Sequence, residues 1–175
     1  MIFNDIRLHR AELPAVNGIT NARSLARIYA RLIGNIEENG YLRKSLLTTY
    51  TLNEAIKDVT PPGEPDINWY HLPSTFSKSG FQTFGPCFNI MGDGVFGHSG
   101  KNQSSMLSYS FAIFNRITIF LFHQGYGGSC AFAYPAEKLA YAYVCNYLDQ
   151  SALMIDPRSI RVIETIKTIL SQRNN

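Results

Sequence analysis

Gly97-His98-Ser99-Gly100 places an imidazole, a hydroxyl and two glycines in consecutive positions. The imidazole can donate, accept or carry a proton, the hydroxyl can do either of the first two, and glycine lets another group approach the backbone. Tyr126-Gly127-Gly128-Ser129 is a second small, hydroxyl-bearing cluster. If 101–125 is passed over, the chain reads Phe-Gly-His-Ser-Gly-Tyr-Gly-Gly-Ser and continues into Cys130-Ala-Phe-Ala-Tyr-Pro135. A lone histidine before Ser-Gly is more often a surface or core residue than a catalytic one. His9, His71 and His123 have no partners at metal-ligand spacing, and Cys87, Cys130 and Cys145 are an odd set without a C-x-x-C pair. Neither a metal, a cofactor nor a disulfide framework is expected, and a reducing compartment follows from the cysteine usage. A phosphate cradle needs a helix after its glycines, whereas Ser129 opens a strand-like run, so nucleotide binding is disfavoured.

The elements that must hold these residues are legible from periodicity. Ala22, Leu25, Ala26, Tyr29, Leu32 and Ile33 recur on one helical face, Thr20 or Asn21 can cap the start, and Gly34 stands where a helix stops, predicting a helix over 21–33. Residues 34–40 read as a loop, 42–55 as a second short helical segment and 60–65 as an irregular crossing. Strand-compatible runs follow at 84–91, 95–99, 129–134 and 139–146, the last two joined as a hairpin through Pro135-Ala-Glu-Lys138. With Tyr134 opposite Leu139, Cys130 falls opposite Tyr143 and not Cys145, a poor geometry for a cross-strand disulfide. Asp156 as cap, Pro157 at the first helical position and a stripe of Ile160, Ile163, Ile166, Ile169 and Leu170 predict a terminal helix. Helix, irregular segment, antiparallel strands and helix make an α+β layout in which the last helix covers a sheet face.

Composition bounds the answer. A chain of 175 residues with 45% hydrophobic and 13% aromatic content can bury one sizeable core, so 1–175 is read as a single unit. A net charge of +3 without a run of like charges gives no case for nucleic acid. Arg23, Arg27 and Arg31 recur at i, i+4, i+8 and read as a solvated helix face. The first residues carry an acid and lack an apolar core, so no signal peptide is expected. The apolar run 106–122 holds Asn115 and Arg116 near its centre, and a central arginine costs at least about 2.5 kcal/mol in a bilayer, so no membrane span is expected.

The joined string His98-Ser99-Gly100-Tyr126-Gly127 resembles the third active-site motif of the serine beta-lactamase-like hydrolases, the group of penicillin-binding proteins, class C beta-lactamases and related esterases. Glu12-Leu-Pro-Ala-Val-Asn-Gly18 running into the 21–33 helix resembles their entry to a late helix of the helical region, and Asp156-Pro-Arg158 resembles the start of their C-terminal helix. The resemblance implies a partial beta-lactamase-like fold, with an antiparallel sheet, flanking helices and a C-terminal helix packed on the sheet. It also implies acyl transfer on ester or amide carbonyls of a small-molecule substrate: a serine in Ser-x-x-Lys attacks, the lysine and the tyrosine of Tyr-x-Asn move protons, and the third motif lines the opposite wall. By that likeness His98 takes the cation or donor position, Ser99 the hydroxyl position and Gly100 the close-approach position. The oxyanion donor would be the residue after Gly100, Tyr126 in the uninterrupted motif and Lys101 in this chain.

The departures are as informative. No serine has lysine three residues on and no tyrosine has asparagine two on. Tyr134-Pro135 stands where relatives have Asp-Pro, which removes a turn-capping side chain. The expectation is therefore a C-terminal fragment of a beta-lactamase-related domain, inactive alone and prone to self-association through uncovered apolar surface. The alternative is a non-catalytic binding or partner module on the same scaffold. Residues 101–125 read as a translated intron: Gly-Lys can be encoded with a GTAAG donor, and Ile117-Thr-Ile-Phe-Leu-Phe122 is what a pyrimidine-rich tract encodes. An inserted hairpin or lid is the competing reading.

Overall fold

The computed structural model describes residues 5–11, 18–61, 63, 76–83, 91–99, 128–146 and 156–173. Expectations placed on Cys87, Gly100, Tyr126, Gly127, His71, His123, the strand at 84–90 and the interval 101–125 fall outside the described residues. In chain order the elements are α1 (Ile6–His9), α2 (Ala22–Ile33), β1 (Ile36–Glu38), β2 (Tyr41–Arg43), α3 (Thr49–Ala55), β3 (Phe96–Ser99), β4 (Cys130–Tyr134), β5 (Leu139–Tyr143) and α4 (Pro157–Arg173).

β3, β4 and β5 form one antiparallel sheet in that order, and β1 and β2 form a separate hairpin. The β4–β5 register is the expected one, with Tyr134 opposite Leu139 and Cys130 opposite Tyr143. A 3₁₀ turn over Pro135–Glu137 closes it, with Lys138 in the left-handed region and its N–H donating to the Pro135 carbonyl at 3.1 Å.

Strand alternation divides the side chains into two sets that pack on different helices. Cys130 and Phe132 join Met91, Val95 and Ile163 of α4, with Tyr134, Leu139, Tyr141, Tyr143, Ile160, Ile166 and Leu170 packed around them. Ala131 and Ala133 join Phe96, Tyr29 of α2 and Leu52 of α3, flanked by Ala140, Ala142, Leu25, Leu32 and Ile33. The alanine face lets α2 lie close to the sheet, while the aromatic face fills the wider space under α4. Phe132 is completely buried, and burying a side chain of this size contributes about 1.5–3 kcal/mol.

Both helix starts expected from sequence are present. Asn21 accepts the Ser24 N–H at 2.9 Å ahead of α2, and Asp156 stands immediately before Pro157 of α4. Three expectations need correction. Residues 42–55 are not one helix: β2 occupies the first part, and the preceding loop contains β1 and an Asn39-Gly40 turn with both residues at positive φ. Ile169 is 58% exposed, because it lies about 100° round the helix from its partly buried neighbour Leu170. The arginine row of α2 is not simply solvated: Arg27 pairs with Glu38 of β1, and Arg31 Nε donates to the Lys44 carbonyl at 3.0 Å. The arginines thus tie α2 to the small hairpin.

Candidate functional site

β3 positions His98 and Ser99, and it is held on both sides. Its Gly97 lies opposite Phe132 of β4, while on the other edge Gly97 and Gln82 exchange both backbone hydrogen bonds at 2.9 Å. Phe96 anchors the strand against α2, its ring edge-to-face with Phe81 at a centroid distance of 5.1 Å and tilted against Tyr29 at 6.3 Å. Burial pushes the Tyr29 phenol up to about 12, so it stays protonated at neutral pH.

Because successive strand residues point to opposite faces, His98 and Ser99 do not converge. His98 shares the face of Phe96 and is exposed at the surface. The protein mass close around it holds the imidazole below the ordinary histidine value, opposed by a hydrogen bond with the Ser99 backbone. At neutral pH it is therefore a neutral donor or acceptor and not the cation that the third-motif position would accept. Ser99 is 3% exposed. Its backbone N–H and its hydroxyl both donate to Gln82 Oε1, each at 3.1 Å. A serine in this position is held as a structural clamp between β3 and the Gln82 segment. Gln82 was not legible in the sequence, since a single bridging residue leaves no periodic signal.

The glycine cluster before β4 has a described end at Gly128. Its φ is +83°, and a β-carbon there would fall 2.8 Å from Asp156 Cβ and 2.9 Å from Asp156 N. The Asp156 N–H points at the Gly128 carbonyl at 3.4 Å. Asp156 itself is fully buried and organises the start of α4. One carboxylate oxygen accepts from the Arg158 backbone N–H and from Arg158 Nε, both at 2.8 Å, and the other pairs with the Arg158 guanidinium terminus. The Arg158 side chain is the main reason that the Asp156 carboxyl stays below the usual carboxylate range, with the Tyr143 hydroxyl assisting. The folded-state value being lower than the unfolded one, the folded protein binds fewer protons, so this stabilisation is full above about pH 4 and is lost as pH falls through the folded value. Thermal midpoints measured downward from pH 6 should drop in the acid range, and Asp156→Asn should flatten that dependence. An identical acid profile in the variant would remove Asp156 from the explanation.

No family model matches the sequence, and neither does any curated protein. Among solved structures, a penicillin-binding protein homolog from Caulobacter crescentus matches with a TM-score of 0.61 and 28% identity, covering 94% of this chain. The chain carries a penicillin-binding-protein-like fold. It spans about a third of the length of that homolog, 36%. The α+β, beta-lactamase-like layout expected from the sequence thus holds, with an antiparallel sheet between α2 and α4. Within this penicillin-binding-protein-like fold, Gly128 and Asp156 connect two of the three segments on which the sequence resemblance rests, the glycine cluster and Asp156-Pro-Arg158.

Proposed function

We propose that this chain is a beta-lactamase-related serine hydrolase homologue that does not itself carry out acyl transfer. The observation that carries the reading is the state of Ser99: its hydroxyl is buried and donates to Gln82 Oε1, and the sequence holds no serine in Ser-x-x-Lys to take its place. Without an activated nucleophile, a binding wall cannot form an acyl-enzyme. The ancestral substrate class would be esters or amides with an accessible carbonyl.

The strand register supports reading 101–125 as a translated intron. Ser99 and Cys130 are directly paired, so their two strands need only a short connection at that end. Joining Gly100 to Tyr126 leaves Gly100-Tyr126-Gly127-Gly128-Ser129, a loop of the length that hairpins use. Both the chain and a version without 101–125 should leave a chromogenic cephalosporin and a short-chain aryl ester unhydrolysed above buffer, while the shorter version keeps the strand content. Turnover abolished by Ser99→Ala would overturn the inactive reading. Transcripts running through 101–125 as the dominant species would overturn the intron reading.

A further inference from the structure

We infer that the open cleft between α2 and the β1–β2 hairpin is a binding site for a small amphiphilic anion, a phosphate-headed molecule with a short apolar part. The cleft has a volume of about 480 Å³ and is lined by Ser24, Arg27, Ile28 and Arg31 of α2 together with Leu42 and Arg43 of β2 and the adjoining Lys44. That volume lies in the range of ligand pockets. It is independent of the third-motif residues, none of which lines it.

Charge makes the case for an anion. Two elements from different parts of the chain each bring two cations to one cavity, Arg27 and Arg31 from the helix and Arg43 and Lys44 from the hairpin. Among the described residues the only carboxylate paired with any of them is Glu38, and it is shared: Arg27 pairs with it directly and Arg43 Nε stands 3.9 Å away. One carboxylate thus answers four cations. Arg31 is fixed by its Nε donating to the Lys44 carbonyl, and the Leu46 N–H returns to the Arg31 carbonyl at 2.7 Å. These bonds tie the Arg31 side chain to the Lys44 backbone and the Arg31 backbone to Leu46, so the two walls are held together before an anion enters between them. A guanidinium fork matches phosphate geometry, and a lysine supplies a point charge beside it.

The apolar half of the ligand follows from the same lining. Ile28 is 49% exposed and Leu42 66% exposed, on opposite walls of the cleft. Large aliphatic side chains left open beside cations offer a short alkyl chain the burial that water denies it. Inorganic phosphate alone would use only part of the site.

The test is isothermal titration of the full chain at fixed, moderate salt with three probes: inorganic phosphate, octyl phosphate below its micelle concentration, and octanol. Octyl phosphate should bind more tightly than inorganic phosphate, and octanol should show no binding. Arg43→Gln and Lys44→Gln, both at exposed positions of the hairpin, should each weaken octyl phosphate about tenfold, as expected for one lost charge-assisted contact. Lys44→Arg should retain the affinity, and unchanged circular dichroism shows that the variants remain folded. No binding of octyl phosphate, parental affinity in the two glutamine variants, or inorganic phosphate binding as tightly as octyl phosphate would overturn the inference. Association with phosphatidylglycerol vesicles without binding of monomeric octyl phosphate would overturn it too, assigning the basic face to a membrane surface instead. Because hydrolysis plays no part in the readout, failure here leaves the proposed inactivity untouched.

Discussion

Gly97→Ala should abolish the folded state, with no cooperative unfolding transition and no native strand signal. A β-carbon at this position would stand 2.2 Å from the Ala131 carbonyl oxygen, 2.6 Å from Phe132 Cα and 2.7 Å from Phe132 Cβ. Two of these three neighbours are backbone atoms, so no rotamer change relieves the overlap. The backbone would have to give where β3 is bonded on both edges: on one side it pairs along β4, and on the other Gly97 exchanges two hydrogen bonds with Gln82. Relief means detaching β3, which uncovers Phe96 and Val95, each 1% exposed. Losing the burial of two such side chains removes about 3–6 kcal/mol, a large part of a domain's net stability. Gly34→Ala is the control: nothing lies within 4 Å of its β-carbon, so its effect should stay small. Urea unfolding of the three proteins decides the matter, and a Gly97→Ala protein with a near-parental midpoint would disprove the close packing of β3 on β4.

Gly128→Ala should be nearly as damaging, by a different combination of causes. The φ of +83° is strained for any side-chain-bearing residue, at about 1–2 kcal/mol. The new β-carbon also meets the backbone nitrogen of Asp156 at 2.9 Å and its Cα at 3.1 Å. Displacing Asp156 disturbs a fully buried carboxylate whose partners, Arg158 and Tyr143, are fixed around it. A buried carboxylate that loses its hydrogen-bond donors is left with unsatisfied acceptors, which is destabilising. The expected result is a lowered unfolding midpoint accompanied by a weakened acid dependence, because the Asp156–Arg158 contact is the one displaced. An unchanged acid profile in a destabilised Gly128→Ala protein would show that α4 starts independently of the glycine cluster.

The parts of the fold that were legible in the sequence are those where local chemistry and tertiary packing agree. A cap at Thr20 or Asn21 with the apolar face ending at Ile33 marks α2, where the structure uses Asn21, and Asp156-Pro157 followed by isoleucines marks α4. The β4–β5 pairing came from two runs of the same alternation around a proline turn, and the structure has the expected partners. The β1–β2 hairpin was missed because its strands are three residues long, with Tyr41 and Leu42 mostly exposed, so no apolar alternation marks them. Asn39-Gly40 was the available signal. The two arginines of α2 that line the cleft were visible as a row, but Arg43 and Lys44 join them only through the hairpin. At the candidate site, His98 and Ser99 were singled out by neighbouring glycines, whereas the acceptor of the Ser99 hydroxyl, Gln82, is recruited across a gap in sequence that no periodicity spans.

The alternation of alanine with larger residues along β4 and β5 has a consequence for folding fidelity. A slip of either strand by one residue would turn its alanines toward α4 and its aromatic side chains toward α2. The first change would leave voids around Ile163, and the second would drive rings into a space shaped for methyl groups, where Ala133 is completely buried. Most two-faced sheets penalise slippage through polarity, by burying charge or exposing oil. Here both faces of the hairpin pack against helices, and apart from the lost Tyr141–Ser159 hydrogen bond the error signal is size: the mispaired hairpin would still be greasy on both sides but would fit neither helix.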